Sequence, residues 1–243
     1  MKTFHRNDPL YVNYFKFMEW FRGTVELKDD FASVTSTKKE FTFGVPHTSE
    51  GTAHLLVSTK NHTLLVPANS KTALPQQWKE RGGLTFMTLD DGKTSESGEN
   101  TEPVEVLSGN SEKIIKGFSQ AQCAGFLETP EVYTEWAQWL TQCNRNNSKN
   151  KNVTFYAVKV SSIFVSGAIA VRSPDCVGIY GVATHPQYRK RGLGTLLLRK
   201  IMEDSDPGHG VGLQVETGSY AHQYYLKLGF QNLYEFRRMK NEN

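Results

Sequence analysis

The stretch from Val177 to Lys200 sets the narrowest limits on how this chain can fold. An apolar run, VGIYGVAT, leads through a cationic, glycine-bearing turn, YRKRGLG, into the helix-like TLLLRK. A near-continuous apolar run suits a strand buried on both faces. The helix that follows it must begin at the glycines. A helix start leaves about four backbone N–H groups without partners, and these carry partial positive charge. Gly192 and Gly194 lack the β-carbons that would hold a ligand away from such groups. Arg189, Lys190 and Arg191 stand beside them, and no acidic residue follows until Glu203. By itself a basic triplet reads as a solvated patch. Set between a buried strand and a helix, it reads as part of an anion cradle, one that suits a pyrophosphate.

Other readings of these glycines fit less well. GLGTLL begins like a dinucleotide fingerprint, and Glu216 lies near the place of that motif's acidic residue. Leu197, however, stands where the third glycine belongs. No G-x-x-x-x-G-K-[ST] occurs. GFSQA, from Gly117 to Ala121, resembles a nucleophile elbow but follows a helix-like segment, where the elbow needs a strand. There is no H-E-x-x-H, and the 7 histidines are dispersed. A hydrolase or a metalloenzyme therefore has no support, and no metal is expected. Cys123, Cys143 and Cys176 form no C-x-x-C, so reduced thiols are expected. No apolar run approaches the roughly 18 residues of a membrane span. The N-terminus, MKTFHRNDPLYVNYF, has no signal-peptide core. These features lead us to expect a cytoplasmic protein with no membrane partner. A net charge of +3 is too mild to argue for nucleic acid.

Composition divides the 243 residues. DDGKTSESGENTEP, from Asp90 to Pro103, is polar and without apolar periodicity, so residues 91–103 read as a linker. It separates an N-terminal α/β domain, 1–90, from a C-terminal domain, 104–243. In the first, Asp8 caps a helix with Pro9 at its first position. Tyr11, Tyr14, Phe15 and Met18 recur at helical spacing, and Gly23 ends it. FTFGV reads as a strand. AHLLVSTKNHTLLVP reads as a hairpin turning near Lys60 to His62, and QQWKERGGLTFMTL as a helix end followed by a strand. The C-terminal part alternates more legibly. A strand, PVEVLS, precedes two helices, NSEKIIKGFSQAQCAGF and TPEVYTEWAQWLTQC. The strands VTFYAVKV, FVSGAIAV and VGIYGVAT come next, followed by a helix to about Asp204. VGLQVE, a helix over AHQYYLKL, and a strand around LYEFRRM complete the order, which indicates an α/β domain with a mixed sheet.

GVATHPQYRKRGLGTLL resembles the acetyl-CoA-binding motif of the Gcn5-related N-acetyltransferase (GNAT) family. Arg189, Gly192 and Gly194 match its Q/R-x-x-G-x-G/A, and Thr184-His185-Pro186 its V-x-P-like strand ending. AHQYYLKLGF, Ala221 to Phe230, is similar to the family's second motif, A-x-x-x-Y-x-K-L-G-F. Between Gly194 and Gly229 there is room for one helix, one strand and the next helix. The resemblance covers about Val104 to Met239. It implies an α/β (α+β) fold with a GNAT-like mixed, largely antiparallel sheet flanked by helices. The resemblance does not clearly cover the smaller N-terminal α/β domain, which reads either as a degenerate half-copy of the same fold or as the supplier of an acceptor wall or a homodimer surface.

The resemblance also implies roles. The backbone of Val182, Ala183 and Thr184 would pair with the pantetheine arm of acetyl-CoA, the co-substrate. Arg189, Lys190, Arg191, Gly192, Leu193, Gly194 and Thr195 would hold its pyrophosphate, the backbone mattering more than the side chains. A primary amine of a small molecule or peptide would attack the thioester directly. Backbone N–H near Val182 would meet the oxyanion, and Tyr225 would give a proton to the departing thiolate. Gln214 stands where some relatives place a glutamate, which leaves Glu216, two residues on, as the candidate base. Three readings stand at this stage: an N-acetyltransferase, a non-catalytic acyl-CoA-binding or sensor module, and a nucleic-acid binder using the Arg189 cluster.

Overall fold

In the computed structural model, Asp8 starts the first helix as its chemistry dictates. Its carboxylate accepts the N–H groups of Leu10 and Tyr11, at 3.0 and 3.4 Å. Helix α1 runs Pro9–Phe21, and the N–H groups of Arg22 and Gly23 both close it on the Met18 carbonyl. The structure describes residues 4–38, 42–57, 63–89, 103–126, 130–206 and 208–242. It comprises two compact bodies, Met1–Thr88 with Leu213–Asn243, and Leu89–Gly212.

In the first body, strands β1 (Thr24–Leu27), β2 (Phe31–Thr35) and β3 (Phe43–Pro46) form an antiparallel meander. Helix α2 (Ser49–Val57) crosses over to β4 (Thr63–Pro67), which lies parallel to β3. β5 is Trp78–Leu89. The second body follows in sequence, as described below. Its elements are β6 (Val104–Gly109), α3 (Glu112–Phe126), α4 (Pro130–Asn146), β7 (Val153–Val160), β8 (Ile163–Arg172), β9 (Cys176–Thr184) and α5 (Leu193–Glu203). The chain then returns through β10 (Gly210–Glu216), α6 (Tyr220–Lys227) and β11 (Gln231–Asn241). β11 inserts between β4 and β5, antiparallel to both, and β10 lies beyond β5. Rings from α1, β5 and β11 form the core: Tyr11, Phe15, Phe86, Tyr234 and Phe236 are all buried. Each such burial contributes roughly 1.5–3 kcal/mol.

Three expectations change here. Residues 53–57 are helical, so AHLLV is no strand. A parallel β3–β4 pair needs a crossover, and Thr48 starts one by accepting the Gly51 N–H at 3.1 Å. The turn expected near Lys60 to His62 lies outside the described residues. No helix precedes β5: the Trp78 N–H closes a turn on Pro75, and the chain then pairs with β11. β1 and β2 carried no sequence signal, β1 being short and largely exposed. The bodies also cut the chain elsewhere than at 91–103, a stretch lying almost wholly outside the described residues. Pairing of β11 with β4 and β5 draws the last 31 residues, Leu213–Asn243, into the first body.

In the second body β6, β7, β8 and β9 form an antiparallel sheet in that order. α3 packs on β8 and β9 and is joined there by α4. Phe118, Phe155, Tyr156, Ile169 and Leu197 are fully buried. The expected mixed, largely antiparallel sheet with flanking helices is the architecture found. Cys123, Cys143 and Cys176 are free thiols, and burial pushes that of Cys123 up to about 11.

Candidate functional site

β9 delivers the chain to the glycine turn, and β8 fixes its end. Ser166 pairs with Thr184 and Gly167 with Ala183. The Ser166 hydroxyl, completely buried, donates to the Ala183 carbonyl at 2.8 Å and lies 2.8 Å from Thr184 Oγ1. His185 then starts a single 3-10 turn, Pro186–Tyr188, its ring Nδ1 accepting the Gln187 N–H.

Beyond that turn the backbone twice enters the left-handed region, at Lys190 (φ +62°) and Gly192 (φ +73°). Gly192 is the N-cap of α5 and offers no side-chain cap. The first helical bond runs from the Leu196 N–H to the Gly192 carbonyl, 3.0 Å. Among the described residues, the N–H groups of Lys190, Gly192, Leu193 and Gly194 find no partner. Four donors lie in one short turn, at the positive end of a helix whose approach is kept open by glycine. That is a built anion cradle, and the dipole contribution reaches up to about 2 kcal/mol where such a site is partly buried.

The cations serve the turn more than the cradle. The Arg189 guanidinium donates to the carbonyls of Thr184 (3.1 Å) and Gly125 (2.9 Å), tying the end of β9 to the end of α3. Arg191 lies over the Tyr188 ring at 4.9 Å and donates to Gln187 O. Lys190 is exposed, while Leu193 and Thr195 are buried at the foot of α5. The donor set and the absence of acidic side chains between 185 and 202 fit a diphosphate.

Tyr225 and Glu216 belong to the first body. Ser219 caps α6 by accepting the His222 N–H. Buried His222 accepts the Gly218 N–H at Nδ1 and so donates from Nε2 to Asn232 Oδ1, which pins the helix with a fixed tautomer. Tyr225 is 7% exposed, its ring edge-on to Phe230 at 5.6 Å. Burial, and then the neighbouring Tyr224, raise its phenol well above the usual value. Its hydroxyl bonds to no described residue. Such a group holds its proton at neutral pH. Glu216 is different: it is exposed and 3.4 Å from Arg238. Gln214, two residues earlier, has its Nε2 buried and unpartnered.

Sequence reasoning passes over Ser166 and Gly125. A strand serine and a helix glycine carry no motif, and their part in bracing β9 appears only once register and packing are known. Among the described residues, no group of three or more His, Cys, Asp and Glu side chains could hold a metal. No described helix is long and apolar enough to cross a membrane.

Comparison with known proteins agrees with this geometry. The family model for the acetyltransferase (GNAT) domain matches residues 149–232. No curated protein sequence matches the chain. Among solved structures, a GCN5-related N-acetyltransferase from Kribbella flavida is similar in fold, with TM-score 0.64 and 9% identity, covering 96% of this chain and 94% of that one. A functionally unknown conserved protein from Staphylococcus epidermidis is similar too, with TM-score 0.65 and 11% identity, covering 96% and 99%. A third is a tandem GNAT protein from the clavulanic acid biosynthesis pathway, with TM-score 0.56 and 12% identity, covering 95% and 87%. The fold is that of solved GNAT structures, and the acetyltransferase (GNAT) domain model covers residues 149–232 of the chain.

Proposed function

We propose that this protein transfers an acetyl group directly from acetyl-CoA to a primary amine of a small molecule or peptide. The row of unpartnered N–H groups at Lys190, Gly192, Leu193 and Gly194 carries this reading. They would hold the diphosphate, with the backbone of Val182, Ala183 and Thr184 pairing with the amide-containing arm as a strand would. The bound coenzyme supplies the activated acetyl thioester. The amine nitrogen forms a bond to the carbonyl carbon as the carbon–sulfur bond breaks. Backbone N–H near Val182 would stabilise the oxyanion. Tyr225 would give its proton to the thiolate, and the amine's surplus proton would leave to Glu216 or to water. A cytoplasmic setting goes with this reading, since reducing conditions keep the three cysteines as thiols.

Calorimetry with acetyl-CoA is the first test, and absence of binding removes the proposal. Thiol release across a panel of polyamines, amino acids, antibiotics and peptides then identifies the acceptor. Tyr225→Phe should lower turnover at least about tenfold, the low end of a general acid's worth, and leave coenzyme affinity in place. The second reading, a non-catalytic acyl-CoA sensor, is favoured by Gln214, an amide in mid-strand where a carboxylate base is wanted, and by the Arg238 contact that engages Glu216. It predicts binding with no thiol release from any amine.

A further inference from the structure

β9 slips by one residue against β8. Gly167 pairs with Ala183 and Ile169 with Tyr180, so Gly181 and Val182 together face Ala168. That is a β-bulge, and Gly181 has the left-handed φ of +61° that one bulge type requires. Bulges of this kind bend a strand and interrupt its pairing, often next to active sites. Gln122 of α3 lies against this one. A Cβ placed on Gly181 would meet Gln122 Nε2 at 2.6 Å and Phe118 Cζ at 3.3 Å. The Gln122 side chain therefore fills the space a larger residue at 181 would need, and wedges the bulge from behind.

The head of that wedge is costly. Gln122 is 2% exposed, and its Oε1 is buried without a hydrogen-bond partner. A buried orphan acceptor costs stability, whereas an apolar side chain of the same shape would not. Methionine has nearly that shape. One turn along α3, Gly125 sits where a Cβ would meet Ala183 Cβ at 2.8 Å and the Thr184 N–H nitrogen at 3.2 Å. The same helix thus backs the whole segment from Gly181 to Thr184.

We infer that Gln122 is a positioning residue for acetyl transfer, acting through the bulge at Gly181–Val182. Its bulk keeps the two residues out of the ladder. This rests on the acetyltransferase reading. The wild type is therefore assayed first: no acetyl-CoA binding or thiol release would overturn that reading, and this inference with it.

With an active wild type, Gln122→Ala is the decisive variant, and Gln122→Met, which keeps the shape of the wedge, is its control. The alanine variant should bind acetyl-CoA within twofold of wild type and lose kcat at least tenfold, whereas the methionine variant should melt at the same temperature or higher and keep its kcat. An unchanged kcat in Gln122→Ala would overturn the inference, as would a tenfold loss in Gln122→Met, which would show that the bulk of the side chain is not what acts. A double-mutant cycle gives an independent check. Gly181→Ala carries backbone strain at φ +61° in any background, but the part of its kcat cost that comes from the clash with Gln122 should vanish in Gln122→Ala, so the loss should be smaller there than in the wild type. Additive losses would show that the two residues do not act together.

Discussion

The molecule contains two corners of the same topology, and one of them is closed. In each body a three-stranded antiparallel meander ends in a turn that starts a helix: β1–β2–β3 into α2, and β7–β8–β9 into α5. At the second corner four N–H groups are unused. At the first, the chain uses its own. The N–H groups of His47 and Thr48 donate to the Asp30 carbonyl at 2.8 and 3.2 Å, and Gly51 donates to Thr48 Oγ1. A Cβ on Gly51 would collide with that same Asp30 carbonyl. The β1–β2 turn thus stands where a ligand's anion would have to be. The difference teaches that a helix start becomes a binding site only when the fold leaves its donors without internal partners.

The sharpest way to break this comparison is at Gly192. Its φ of +73° suits glycine and strains a β-branched residue. Gly192→Val should therefore weaken acetyl-CoA binding by at least about 100-fold in calorimetry, about 2.7 kcal/mol, with the far-ultraviolet dichroism unchanged. Retained affinity would mean that the backbone of this turn is not the cradle. The same titration of the wild type should give one coenzyme per chain, and a stoichiometry of two would show that the first corner also binds.

The mirror experiment is Gly51→Ala. Here the added methyl meets Asp30, so the loss should be in stability, about 1–3 kcal/mol as for other overpacked sites, read as a lower melting temperature. Coenzyme affinity should stay within about twofold. If affinity fell with stability intact, the two corners would be exchanging roles.

How far the sequence disclosed these corners follows from what each depends on. The second was legible because strand, turn and helix are contiguous, and local chemistry decides whether Gly192 and Gly194 can open a helix start. The first was not. Its closure depends on Asp30, 17 positions before His47, and on a crossover helix at 53–57 that apolar content alone does not separate from a strand. Tyr225 was singled out by its motif, while the burial that keeps its phenol protonated shows only in the packed structure. Glu216 was named from strand alternation, which gives the face of a side chain but not the Arg238 that meets it there. β11 was read as the last strand of the C-terminal domain, because pairing with β4 and β5 is a long-range choice no local pattern records.

The smallest effect expected from the closed corner is a pH dependence at His47. The Tyr11 hydroxyl lies 2.8 Å from its Nε2, and burial lowers its pKa below the ordinary histidine value, outweighing the nearby main-chain carbonyls of Lys28 and Asp29 and the carboxylate of Asp30, which favour the proton; Arg6 opposes it. Tyr11 itself is held protonated by burial, so it donates and His47 accepts. The unfolded chain, with a histidine pKa of about 6.5, takes up a proton before the folded one does. Stability from this contact is therefore complete above about pH 6.5. It is lost as the pH falls through the lowered folded pKa. Thermal melts between pH 7.5 and 5 should show a modest downward step that His47→Gln removes, while acetyl-CoA affinity is unaffected by that substitution. A step that persists in His47→Gln would assign the titration to another group and leave the closed corner indifferent to protons.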